Sequence, residues 1–180
     1  MNTKILKIGA VLLGLAITPN MQGTGLFSWV SSWVQSGLTL PRTKKILSNL
    51  SGLRVQDAPS YGEGLCGYSA LLIALRAAEA EANGSVTITK DEVKDFLCNL
   101  QDSLDVYLET PMEMDHLELI GQLLTYKIIV EIEVSYDGTW QHETRTFNSD
   151  GTKTIRLYYS GSQHGGHYQA IIPNNIHVHY

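Results

Sequence analysis

An α+β architecture, with a helical part followed by a mostly antiparallel sheet, is what three features of this sequence predict. Apolar residues between positions 66 and 124 recur at helical spacing. From Lys127 onward the text changes to apolar runs and strict alternation, divided by Asp-Gly turns. No internal repeat is visible. A chain of 180 residues, 43% hydrophobic and 17% charged, is globular in composition and long enough to bury a core without disulfides or a structural metal. Its formal charge of -5, with Arg42-Thr43-Lys44-Lys45 as the one basic cluster, argues against nucleic-acid binding.

The first 25 residues read as a signal-like segment. Lys4 and Lys7 precede a continuous apolar run from Ile8 to Ile17, which is too short to span a bilayer. Pro19 spoils a cut after Thr18, and Gly23-Thr24-Gly25 offers a small-residue site. The expectation is export, with membrane association only through this segment if it stays uncleaved. Residues 26–52 are read as an amphipathic helical extension in which Trp29, Trp33 and Leu38 are expected to pack on the domain or on a membrane surface and Pro41 breaks the run. The remaining domain, 53–180, opens on a short edge strand, Leu53-Arg54-Val55, and a loop from Asp57 to Ser60.

A helix is expected from Cys66 to about Ala82. Ala70, Ile73, Ala74 and Ala77 share a face that Leu71, Leu72 and Leu75 broaden, and Asn83-Gly84 supplies the stop. Ser85 to Ile88 is loop or extended. Thr89-Lys90-Asp91-Glu92 has the form of a capping box, starting a helix with Val93, Phe96, Leu97, Leu100 and Leu104 inward. Cys98, in the middle of that helix, is expected to be a small buried side chain. Asp102, Asp105 and Glu109 form a solvated face. Beyond Pro111, Met114, Leu117, Ile120, Leu123 and Leu124 give another amphipathic helix. Strands follow at Ile128–Val134, Thr139–Phe147 and Thr154–Tyr159, with turns at Asp137-Gly138 and Asp150-Gly151. A glycine-rich loop from Ser160 to Gly166 precedes a last strand, His167–Ile172, and His177-Val178-His179 is expected to fray.

The chemistry gathers at two places. Tyr61-Gly62-Glu63-Gly64-Leu65-Cys66-Gly67-Tyr68 brings glycine-rich backbone directly to a cysteine that opens a helix. Amide N–H groups and the macrodipole at a helix N-terminus favour the thiolate, the form that acts as nucleophile. Backbone ahead of it, at Gly64 and Leu65, is placed to offer amides to an oxyanion. The second place is His167, where loop becomes strand beside Tyr168. Imidazole titrates near neutrality and suits a general base. His164 is a competitor on a looser platform. No cofactor is called for, and the spacing of Cys66, His164, His167, His177 and His179 resembles no tight metal-ligand pair.

Taken together, these stretches resemble the ovarian-tumour (OTU) family of cysteine proteases, which are deubiquitinases with a papain-like fold. Three blocks carry the likeness, in order: Glu63-Gly64-Leu65-Cys66-Gly67-Tyr68-Ser69-Ala70-Leu71; Leu117 to Leu124 followed by Ile128-Ile129-Val130; and Thr154 to Tyr159 with His167-Tyr168. The resemblance spans about Leu53 to Ile172. It implies Cys66 as nucleophile and His167 as base, with Glu63 where the family usually carries aspartate. The third member of the triad is open among Glu63, Gln169 and Asn174. Gln169 stands two residues after the histidine, where many members carry an acid or amide. The implied partner is ubiquitin or a ubiquitin-like conjugate, cleaved through a thioester. With the export-like segment, this implies a bacterial effector secreted into a host cell. The rival readings are a catalytically impaired ubiquitin-binding module of the same fold and an exported papain-like peptidase acting on cell-wall peptides.

Overall fold

The computed structural model describes residues 50–162 and 165–180. The signal-like segment, nearly all of the 26–52 extension and His164 lie outside the described residues. The described chain is α+β. Strand β1 (Leu53–Gln56) leads through a loop to helix α1 (Cys66–Glu79), strand β2 (Ser85–Thr87) and helix α2 (Lys90–Leu104). A 3-10 turn (Met114–His116) runs into helix α3 (Leu117–Leu124). Five strands complete the fold: β3 (Tyr126–Tyr136), β4 (Thr139–Phe147), β5 (Lys153–Ser162), β6 (Gly165–Pro173) and β7 (His177–His179). Among the described residues no helix is long and apolar enough to cross a membrane.

Local chemistry sets these boundaries. Thr89 Oγ1 accepts from the Glu92 amide at 3.3 Å while Glu92 Oε2 takes the Thr89 amide at 2.8 Å, so the capping box forms as read. Helix α1 ends at Glu79, three residues earlier than expected, because Ala80 turns extended and Asn83 takes a φ of 64°. Nearly all of α1 is buried, and it lies against β6 and β5. Helix α2 is half solvated, with Val93 and Leu100 buried. Cys98 corrects the expectation: it is exposed, because the i, i+4, i+7 stripe through Val93, Leu97 and Leu100 leaves position 98 on the outer face.

The main sheet runs β1-β6-β5-β3-β4, antiparallel except where β5 lies parallel to β3. The turn at Asp150-Gly151 therefore does not set β4 and β5 side by side. Asn148 anchors that turn by donating to the Gly121 and Tyr126 carbonyls, each at 2.9 Å, and its amide binds Glu118 Oε2 at 2.6 Å. The Gly151 backbone seats directly against Tyr126 and Lys127, and the Thr152 amide donates to the Thr125 carbonyl. The chain is thus carried across the start of β3 and leaves on its far side. A further correction is at the C-terminus. His177–His179 is a strand paired in parallel with Ser85–Thr87, not a frayed end, and the Ile88 amide closes on the His179 carbonyl at 2.9 Å.

One face of the sheet supplies the core. Ile128, Val130, Ile132, Ile155, Leu157, Tyr168, Ala170 and Ile172 alternate inward against α1 and α3. The nearly solvent-free residues of this layer set the position of β6, and hence of His167.

Candidate active site

Strand β6 is the platform. It pairs with β5 through Ser160↔His167 and with β1 through Gln56↔Ala170. His167 accordingly sits inside a paired strand, not at the loop junction expected, since β5 runs on to Ser162 and β6 starts at Gly165. Strand β1 ends at Gln56, so the next residue, Asp57, stands level with the His167 end of β6. His167 Nε2 lies 2.8 Å from Asp57 Oδ1. Gln169 Nε2 donates to the same oxygen at 3.3 Å. The backbone of Asp57 is fastened as well, by the Tyr180 hydroxyl donating to its carbonyl, with Gln56 Nε2 in turn donating to Tyr180 at 2.9 Å. The His167 contact, opposed by slight burial, holds the Asp57 carboxyl below the usual carboxylate range. An Asp bonded to Nε2 engages one ring nitrogen and leaves Nδ1 without a hydrogen bond among the described residues.

Cys66 is the first residue of α1 and a free, buried thiol. The turn of helix that carries it is held from three sides. Ser69 Oγ donates to the Pro59 carbonyl at 2.8 Å, and the Tyr68 hydroxyl donates to the Glu109 carbonyl at 2.7 Å. A Cβ at Gly67 would strike the Met112 side chain, so only glycine lets the 109–112 loop close on the helix start. Burial raises the Tyr159 and Tyr168 phenols, and a thiolate at Cys66 raises both further. The two rings lie 4.8 Å apart, with the Tyr159 hydroxyl seated against Gly166. Cys66 shares the buried core cluster with Tyr159 and Tyr168, and among the described residues it makes no hydrogen bond with His167.

The remaining expected site residues are elsewhere or otherwise engaged. Glu63 does not meet the imidazole. Its two oxygens bind Lys90 Nζ at 2.7 Å and Lys94 Nζ at 2.9 Å, an i, i+4 pair on α2 that holds its carboxyl low. Asn174 lies past the opposite end of β6, seven residues or roughly 23 Å of strand from His167, and its amide donates to Gly52. Gln169 reaches Asp57 and not the imidazole. The Leu65 amide, expected at an oxyanion, donates to the Ser60 carbonyl at 3.2 Å, as the Glu63 amide does at 3.1 Å. Among the described residues, the amides of Gly64 and Cys66 are left without a hydrogen-bond acceptor. Gly64 holds a φ of 71° and backs onto Pro111.

No family model matches the chain. No curated protein matches it. Among solved structures, the chain is similar to an OTU deubiquitinase from Wolbachia pipientis wMel bound to ubiquitin, at 12% identity and a TM-score of 0.38, covering 69% of this chain and 98% of that one.

Sequence reasoning missed Asp57. A signal was present: an acid placed one residue past an edge strand, ahead of the nucleophile loop. What hid it was the pairing register, since nothing local says that β1 lies beside β6. Chemically the site offers a thiol at a helix start, an imidazole held by a carboxylate, and spare amides beside the thiol. These are the kinds of group that acyl transfer uses.

Proposed function

We propose that this chain is an OTU-type thiol hydrolase that cleaves isopeptide bonds to ubiquitin or a ubiquitin-like modifier. The observation that carries the hydrolase reading is the 2.8 Å contact between His167 Nε2 and Asp57 Oδ1. A surface histidine has no need of a dedicated carboxylate. A catalytic one does, to fix its tautomer and to stabilise the imidazolium. The substrate class rests on the three sequence blocks that resemble the family, and delivery into a host cell rests on the N-terminal segment.

In this mechanism His167 Nδ1 takes the thiol proton, and Cys66 Sγ attacks the isopeptide carbonyl carbon. The oxyanion that forms is held by the amides of Cys66 and Gly64. Collapse of the tetrahedral species expels the lysine amine, which receives its proton from the imidazolium, and leaves a thioester on Cys66. His167 then takes a proton from water, whose oxygen attacks the thioester. Cys66 leaves as thiol, and the freed C-terminus leaves as carboxylate. Asp57 remains ionised throughout and orients the ring.

Ubiquitin carrying a C-terminal electrophile tests this directly. The wild-type chain is expected to form a covalent adduct at Cys66, located by peptide mass mapping, and to cut di-ubiquitin. Cys66→Ala should do neither. Wild-type protein that binds ubiquitin without forming the adduct would move the reading to a binding module. Protein that ignores ubiquitin altogether would remove the substrate class.

A further inference from the structure

The main sheet has an outer face, turned away from the core, and part of it is closed to water. Among the described residues, Ile171 and Tyr158, 5% and 9% exposed, are the two buried apolar side chains that take no part in the core. Alternation explains this, since Ile172 and Leu157 are core residues and their strand neighbours point the other way. Glu131 and Glu133 flank the core residue Ile132, share that outer face, and are 7% and 4% exposed. Helices α1 and α3 pack on the core side, and among the described residues no helix lies over the outer one. The closed patch runs obliquely from Ile171 on β6 through Tyr158 on β5 to Glu131 and Glu133 on β3. It stops at β4, where Thr144 and Thr146, paired with Glu131 and Ile129, are exposed. Two strand spacings give it a width of about 10 Å, and about four residues of strand rise give it a diagonal of about 16 Å. One α-helix of about eleven residues has those dimensions.

We propose that residues 26–49 of this chain cover the patch, with 26–36 lying across β6, β5 and β3 as a helix. Three observations select that occupant. Ile171, Tyr158, Glu131 and Glu133 are buried within a single chain, so the cover belongs to the chain itself, and residues 163–164 are too few to supply it. Residues 1–49 lead into the sheet beside the patch, because Leu50 stands three residues ahead of β1, whose Val55 pairs with Ile171. A tether that short holds the segment at an effective concentration on the order of millimolar. The sequence also fits the footprint. Leu26, Trp29, Val30, Trp33 and Val34 recur at i, i+3, i+4, i+7 and i+8, with Ser28, Ser31, Ser32 and Gln35 on the other side. Gly37 stops the pattern after eleven residues. The folded unit then begins near Leu26, and removal of the signal-like segment would leave it whole. This packing is independent of the chemistry at Cys66.

Photo-crosslinking on the full chain is the test. Thr146→p-benzoylphenylalanine puts the probe at an exposed position opposite Ile129, on the rim of the patch. The expected product is a crosslink within one chain to a peptide from residues 26–49, located by mass mapping. Trp33→Asp sets a charge against the patch and should lower the yield by more than about tenfold. Ser32→Asp, on the polar side, should stay within about twofold of the parent. Far-UV circular dichroism checks that each variant keeps its sheet, and the parent crosslink decides by itself if Trp33→Asp fails to fold. A parent chain that gives no crosslink to 26–49 overturns the proposal. A crosslink found only between two chains overturns it in favour of a second copy, and one abolished by anionic phospholipid vesicles overturns it in favour of a membrane. Equal yields from Trp33→Asp and Ser32→Asp overturn it as well, since the apolar stripe would then not be the contact.

Discussion

Two acidic residues flank the approach to Cys66, and they end in opposite circumstances. Asp57 follows the last residue of β1 and meets His167 Nε2 at 2.8 Å. Glu63, three residues before the cysteine and so the nearer in sequence, is bound by Lys90 and Lys94. The difference lies in what each is attached to. Asp57 extends a strand hydrogen-bonded to β6, so its side chain inherits the position of the histidine strand. Glu63 sits in a turn whose amides fold back on Ser60, and that turn leans on α2. Nearness along the chain to Cys66 therefore says less about which acid meets His167 than attachment to the same sheet does.

The largest effect that sharpens this contrast is the loss of the carboxylate at Asp57. Asp57→Ala should lower kcat/KM on an isopeptide substrate by on the order of 10²-fold, the scale of positioned acid–base assistance. Asp57→Asn should recover part of the loss, since an amide oxygen still accepts from Nε2–H. An unaffected Asp57→Ala enzyme would put the two acids on an equal footing and break the comparison. Gln169→Leu comes next. It removes one neutral donor to Asp57, so a decrease of about two- to tenfold is expected, read in the same assay.

How much of this was legible beforehand differs by level. The capping box at Thr89, the Asp137-Gly138 turn and the inward face of α1 were readable, because each depends on residues within one or two turns of chain. Cys66 as a helix-opening residue was readable for the same reason. The parallel placement of β5 was not. It turns on Asn148 and Gly151 meeting the start of β3, a contact between separate elements. Asp57 was hidden for a related cause, the β1–β6 register across more than a hundred residues of sequence. Strand β7 was also missed, since a three-residue strand draws its identity from its partner β2 and not from its own pattern.

A smaller effect concerns pH. The Asp57 carboxyl is held low by His167, so ionisation is favoured in the folded state. Its contribution to stability is present above the unfolded value of about 3.9 and is lost as pH falls through the lower folded value. Asp57 is largely solvent-exposed, and solvent screening limits the pair to about 0.2–1 kcal/mol. Unfolding free energies of wild type and Asp57→Asn from urea titration should differ by that amount at pH 6 and converge toward pH 3. A difference that persists undiminished at pH 3 would mean that the contact is not ionic.

The smallest expected effect is the most discriminating. Glu63→Gln keeps the length of the side chain while removing its charge and replacing one of its two acceptor oxygens with a donor. If Glu63 oriented His167, that change would resemble Asp57→Asn in kind and size. Because its oxygens are spent on Lys90 and Lys94 in solvent, kcat and KM should each stay within about twofold of wild type. Raised salt should erase even that difference, since exposed pairs are screened over about 10 Å at 0.1 M. A large fall in kcat on Glu63→Gln, insensitive to salt, would return the acid nearest the cysteine to the catalytic set. Asp57 would then be a structural tie between β1 and β6, and the histidine would be oriented from the nucleophile loop instead of from the sheet.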